Sequence, residues 1–291
     1  MKERYEGIDG LKAYAILGIA LMHILANGNF GLNGFVFQKL IPSFTNLVFL
    51  FMMVSGFGMC CGYYQKFKDQ KIGVSWTLAV IFVFYLLFPY FCFLLENKQR
   101  AWLAFACAVI YNFVCSTYFF DENHIANQVI VNFSARTNIL YCAVYFIAGG
   151  LIFLYRKELA EFASKYKVIA GAILLIATVA YFALGGSTLT MMFFCVVALI
   201  YTLGCRMGVL VNPIAKFLGG ICFEIYLCHM VIYRVLEKVH LVHLFGNGLL
   251  TYIFTAAAVI CGSVVFSVCA KWFLNKIDTF LKETVRRNNH V

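Results

Sequence analysis

Residues 7–26 read GIDGLKAYAILGIALMHILA, twenty positions dominated by Ala, Leu and Ile into which Asp9, Lys12 and His23 are set. A stretch this long and apolar predicts a helix crossing a bilayer, because without water every backbone amide must be paired inside the segment. The rest of the chain agrees with that reading. Its 291 residues are 63% hydrophobic and 12% charged, with a mean hydropathy of +0.85, far from the balance of a soluble domain.

Nine apolar runs lie at about 11–27, 44–65, 74–95, 101–120, 138–155, 167–184, 188–205, 214–236 and 248–272. The expected fold is therefore all-α, a polytopic transmembrane helical bundle of nine spans forming one domain over residues 1–272. Beyond it, residues 273–291 read as a basic amphipathic cytoplasmic tail. Trp272, Phe273, Ile277, Phe280 and Leu281 alternate there with Lys276, Lys282, Arg286 and Arg287, as in a helix lying on an anionic leaflet. Lys2 and Arg4 precede the first run with no small-residue cleavage site after it, so an uncleaved first helix is expected.

The formal charge of +10 does not point to nucleic acid, since the Lys and Arg residues sit in short clusters between apolar runs, as topology signals do. The twelve cysteines fall mostly inside those runs without metal-ligand spacing and read as small free hydrophobes. No metal is expected. His240 and His243 share a three-residue spacing but have no third ligand.

Basic clusters mark the cytoplasmic side: Lys2 with Arg4, Lys66 with Lys68 and Lys71, Lys98 with Arg100, Arg156 to Lys167, Arg206, and the tail. The outer side takes FFDENHIANQ (119–128) and ALGGS (183–187). One place fails to alternate. The loops at 66–71 and 96–100 both read as cytoplasmic with a single apolar run between them, so either 74–95 is re-entrant near Pro89 or a span is missing.

Lys12 and His23 are eleven residues apart, which puts them on nearly one helix face with about 16 Å of rise between them. Asp9, three residues before Lys12, is placed to neutralise or orient its ammonium. Lys12 also fits a snorkelling anchor. An imidazole within a span is a functional candidate by default, and its near-neutral titration suits taking a proton from an alcohol and returning it to a thiol. In the second run, Ser55, Gly56 and Gly58 interrupt the apolar residues, which suits close helix packing or a ligand's approach. Tyr226 and His229, three apart on a late helix, offer a hydroxyl and an imidazole to one cavity, or a packing hydrogen bond.

Four stretches together resemble the membrane acyltransferase family 3, integral-membrane enzymes that O-acylate sugars and other surface molecules. GIDGLKAYAILGIALMH (7–23) is similar to its first helix, with Asp9, a basic residue at Lys12, and His23 after ten intervening residues. FLFMMVSGF (49–57) is similar to its second, ending in Ser55, Gly56 and Phe57. WTLAVIFVFYLLFP (76–89) matches a third signature through Trp76, Leu78, Phe84, Tyr85 and Pro89, with Ile81 where an acidic residue is common; FEIYLCHMVI (223–232) matches the late helix through Tyr226, Leu227 and His229.

The resemblance implies a bacterial, multi-pass cell-membrane enzyme carrying acetyl or another short acyl group from cytoplasmic acyl-CoA to a hydroxyl of an envelope glycan. Asp9, Lys12 and His23 would be catalytic, with Ser55, Gly56, Phe57, Trp76, Tyr85, Tyr226 and His229 around the substrates. Relatives carry about ten spans, with a further helix between the second helix and the Trp signature, where this chain has only QKFKDQKIGVS (65–75). The charge pattern breaks at the same place. The missing stretch is where relatives bind the donor, leaving Lys66, Lys68 and Lys71 to meet a phosphate-rich coenzyme without the bidentate fork of Arg. Two other readings remain: a member that has lost catalysis and serves structurally, and a transporter with His23, Lys12 and Glu224 along its path, although no paired halves are visible.

Overall fold

The computed structural model describes residues 5–67, 87–118, 139–183, 188–206 and 208–288. The described residues are predominantly helical, with one isolated bridge between Gly208 and Val211 in place of any sheet. The helices are α1 (Glu6–Gly28), α2 (Leu47–Phe67), α3 (Phe88–Glu96), α4 (Lys98–Tyr118), α5 (Ile139–Leu154), α6 (Arg156–Lys165), α7 (Lys167–Ala183), α8 (Thr188–Leu203), α9 (Pro213–Gly220), α10 (Cys222–Lys238) and α11 (Leu249–Asn288), with short helical turns over 36–46.

Among the described residues four stretches are long and apolar enough to cross a membrane: Glu6–Gly28, Val36–Cys61, Lys98–Tyr118 and Leu249–Ile277. The count rises to six if two bent pairs are each one span, α5 with α6 at 78° and α9 with α10 at 72°. Leu103, Ile110 and Phe113 on α4 and Leu175, Ile176 and Val179 on α7 are exposed, a surface that lipid can cover and water would not.

The expected run at 214–236 is a broken helix. Gly219 and Gly220 end α9, and the chain turns at Ile221 before α10 begins, since adjacent glycines hold a helix poorly. The last run continues past residue 272 to Asn288, with no glycine or proline after Gly262 to stop it and Lys276 Nζ 4.1 Å above the Trp272 ring one turn back. Of the run at 74–95, residues 74–86 lie outside the described residues, while Pro89 sits in the first turn of α3, where its missing N–H costs no hydrogen bond. None of the twelve cysteines is joined in a disulfide.

Two compact units organise the chain, one from residues 1–11 and 46–212, the other from 12–45 and 213–291. The first is built on α2 against α5. Gly56 meets the Phe146 carbonyl and Gly149 meets the Met53 carbonyl and Phe57 N–H, so the two backbones touch where either Cβ would collide. Around that crossing Phe49 stacks on Tyr145 at 4.6 Å, Phe91 packs on Phe146 at 4.5 Å, and Asn112 Nδ2 donates to the Tyr141 carbonyl at 3.0 Å.

The second unit packs α10 against α11 and holds the later turns of α1 in a core that includes Met22, Ile24, Phe30, Tyr233, Tyr252 and Val259. Asn29, Gly31 and Gly34 take positive φ of 43°, 68° and 99°, which turns the chain sharply after α1. Phe30 folds back from that turn onto Tyr252, ring centroids 5.4 Å apart.

Candidate functional site

The second unit gathers the described histidines, His23, His229, His240 and His243. His23, half-buried on α1, lies with its ring centroid 5.4 Å from that of His229 on α10, the planes tilted by 40°. Tyr226, one turn before His229, brings its ring within 6.0 Å and stays partly exposed. Three groups chosen from sequence therefore meet in one place, although more than 200 residues separate His23 from the other two.

His229 is buried, 4% exposed, and its Nδ1 lies 3.1 Å from the Ile225 carbonyl on the preceding turn. A carbonyl only accepts, so this bond places the proton on Nδ1 and leaves the lone pair of a neutral imidazole on Nε2. Among the described residues Nε2 meets no hydrogen-bond partner.

The elements carrying this pair are pinned by polar contacts that composition does not single out. Asn27 Nδ2 donates to the His23 carbonyl at 2.8 Å, and Arg234 Nη2 donates to Asn27 Oδ1 at 3.1 Å. Arg234 Nη1 in turn donates to Glu237 Oε2 at 2.7 Å. On the other flank Tyr252 Oη donates to the Leu21 carbonyl at 3.1 Å. Within α10 and α11, Cys228 Sγ lies 3.6 Å from the Ser263 carbonyl and 3.7 Å from Ser267 Oγ. Asn27 was legible in principle, since an amide four residues beyond an intramembrane histidine bonds that residue's own carbonyl.

Lys12 is half-buried on α1 and belongs to the same unit as His23. Asp9 is also buried, on the first turns of α1 in the other unit, where Gly7 lies against the Thr202 carbonyl and Gly10 against the Leu210 backbone. Ser55 is half-buried in the first unit, and its two neighbours in the motif have packing roles. Gly56 makes the α2–α5 crossing, and Phe57 is 2% exposed, edge-on to Tyr5 at 5.6 Å and to Phe153 at 6.4 Å. Trp76 and Tyr85 lie outside the described residues, as do Lys68 and Lys71.

The first unit also holds a cavity of about 490 Å³ lined by residues such as Trp102, Phe105, Leu151, Tyr155, Val196 and Ile200. Its lining is apolar apart from Glu158 and the Tyr155 hydroxyl, which accepts from Trp102 Nε1 at 3.1 Å. It offers an apolar slot and no paired acid–base groups. His243, one of the two histidines at three-residue spacing, packs on Phe30 at 5.8 Å, and Glu224 lies 3.8 Å from Lys271. Among the described residues no three His, Cys, Asp or Glu side chains cluster as a metal site requires.

A family profile described as an acyltransferase domain matches residues 63–269, well over half of the chain. No curated protein and no solved structure matches it. The matched segment takes in α3 to α10 and the first half of α11, with Tyr226 and His229; Asp9, Lys12, His23 and Ser55 to Phe57 precede it.

Proposed function

The chain belongs to membrane acyltransferase family 3 and is an acyltransferase, and from that premise we propose that it moves acetyl from cytoplasmic acetyl-CoA, or another short acyl group from its CoA ester, to a hydroxyl of an envelope or extracellular polysaccharide. The observation that carries this reading is the meeting of His23 on α1 with His229 on α10, where Tyr226 lies one turn before His229. His23 is the key catalytic residue. It takes the acceptor's proton for attack on the thioester, or receives the acyl group itself before passing it on.

Lys12 and Asp9 shape the field at the cytoplasmic end of α1. Ser55, Trp76 and Tyr85 serve the substrates from the remaining motifs, with Gly56 and Phe57 setting the contact with α5 that holds Ser55 in place, and Lys66, Lys68 and Lys71 meet the coenzyme's phosphates. In this reading the protein sits in a bacterial cell membrane with nine spans, one fewer than its relatives, and residues 273–291 lie along the cytoplasmic leaflet.

Transfer of labelled acetyl from acetyl-CoA is measured in membranes from a host without related enzymes, with His23→Ala beside the unaltered chain. The expected result is transfer that falls by about 1,000-fold or more in the variant, the scale of a lost acid–base group. Equal transfer from both chains would remove His23 from the chemistry. Silence from both, with both folded and abundant, would favour the member that has lost catalysis, which the missing span after α2 independently suggests.

A further inference from the structure

We infer that His229 is the positioning residue of His23: its Nε2 accepts the N–H of one His23 nitrogen and so keeps the lone pair on the other, the nitrogen that faces the substrates. This rests on the acyl-transfer reading above and adds to it the group that selects the working tautomer.

Three observations converge. The Ile225 carbonyl commits the proton of His229 to Nδ1, so Nε2 is an acceptor. That acceptor is buried and meets no donor among the described residues, an arrangement that costs stability unless a donor reaches it at some stage. The nearest ring across the unit is that of His23, with its centroid 5.4 Å away. Subtracting the radius of each imidazole leaves about 3 Å when the rings point at each other, a hydrogen-bond length. A turn of the His23 side chain closes the bond, as catalytic hydrogen bonds commonly tighten only in the loaded enzyme.

The chemistry asks for such a partner. A free imidazole exchanges its proton between two nitrogens, and only the nitrogen without it can act as base or nucleophile. With one N–H held by His229, the other nitrogen of His23 is always the one available. In the base route, the acceptor O–H breaks and its proton passes to that nitrogen. The new C–O bond forms as the thioester C–S bond breaks, and the departing thiolate takes the proton back. In the carrier route, the same lone pair attacks the thioester carbon and the C–S bond breaks to release the thiolate. The acceptor hydroxyl then attacks the acyl carbon, the C–N bond breaks to restore the lone pair, and the hydroxyl's proton passes to the thiolate. His229 forms no covalent bond in either.

Two substitutions separate this role from packing. His229→Asn keeps an N–H at the position of Nδ1 to serve Ile225 but has nothing at the position of Nε2, whereas His229→Gln places an amide oxygen there. Both are compared with the unaltered chain for folded yield, kcat and KM. The expected result is a loss of about 100-fold in kcat for the Asn variant with both KM values within about twofold, and a Gln variant within about tenfold of the unaltered chain. Histidine-selective 15N NMR should also show a signal with Nδ1 protonated and Nε2 bare that disappears in either variant.

An Asn variant as active as the parent would overturn the inference while leaving acyl transfer standing. So would Asn and Gln variants that fall equally, or a His229 protonated on Nε2. An inactive parent chain overturns acyl transfer and this role together.

Discussion

The α2–α5 crossing in the first unit and the α1–α10–α11 cluster in the second both stand out in the sequence as breaks in apolar runs, and the breaks have different causes. At the crossing the interruptions are glycines, and each is occupied: Gly56 by the Phe146 carbonyl, Gly149 by the Met53 carbonyl. In the cluster the interruptions are His23, His229 and Asn27: Asn27 joins the His23 carbonyl to Arg234, and His229 bonds the Ile225 carbonyl through Nδ1 while its Nε2, beside the His23 ring, meets no partner among the described residues. A missing side chain in an apolar helix is thus explained by the backbone that fills its place. A buried ring with an open lone pair is explained by no packing contact among the described residues, which is why the proposed acid–base chemistry is placed in the second unit.

The crossing is where a small change should do most damage to the fold. Gly56→Ala puts a Cβ into a carbonyl fixed within α5, which the helix cannot yield without losing its own hydrogen bond. The expected cost is about 2–3 kcal/mol, read as a lower melting temperature in detergent and a smaller folded fraction. Activity per folded molecule should hardly change. A Gly56→Ala chain that melts normally but no longer transfers acyl groups would break the comparison and put Gly56 itself against the substrate.

Much of this architecture was legible from residue pattern alone. The runs at 11–27, 101–120, 138–155, 167–184 and 188–205 correspond to α1, α4, α5, α7 and α8, because a bilayer-length apolar stretch has one regular way to satisfy its backbone. The bend at Ile221 was not visible, since a hydropathy count is indifferent to Gly219 and Gly220, which end α9. His23 could be picked as an ionisable group in an apolar helix, and His229 by its spacing from Tyr226. Their meeting could not, because no local pattern records which helices pack together over such a separation in sequence. The Arg234–Asn27 bond was hidden for the same reason, and because arginine near a helix end reads first as a topology signal.

Arg234 sharpens the comparison from the other side, with a smaller effect. Its guanidinium bonds Asn27, whose amide holds the carbonyl of His23, so it acts on the site through α1 and touches no reacting atom. Arg234→Ala should leave folding almost unchanged, being exposed, while kcat falls by about tenfold and KM is kept. Arg234→Lys should recover little of this, because an ammonium lacks the fork that lets one side chain serve Glu237 and Asn27 at once. A double variant with Asn27→Ala no worse than either single change would show that the two residues act as one unit. Full additivity would mean that they do not.

The smallest effect is expected two residues from the largest. Gly58 shares α2 and the Ser-Gly-Phe-Gly sequence with Gly56, yet a Cβ built on it meets no atom of the described residues within 4 Å. With nothing to collide with, Gly58→Ala changes only the helix's intrinsic preference, and it should be neutral or stabilise the fold by up to about 1 kcal/mol. Transfer should proceed at the parental rate. The test is sharp because the open space beside Gly58 is also what a path for an acyl chain along α2 would look like. If Gly58→Ala folds as well as the parent and yet slows transfer, or slows it more for longer acyl donors than for acetyl, that space belongs to the substrate. If transfer is unchanged for every donor length, the glycine is there for no reason of packing or passage, and the division drawn between the two regions stands.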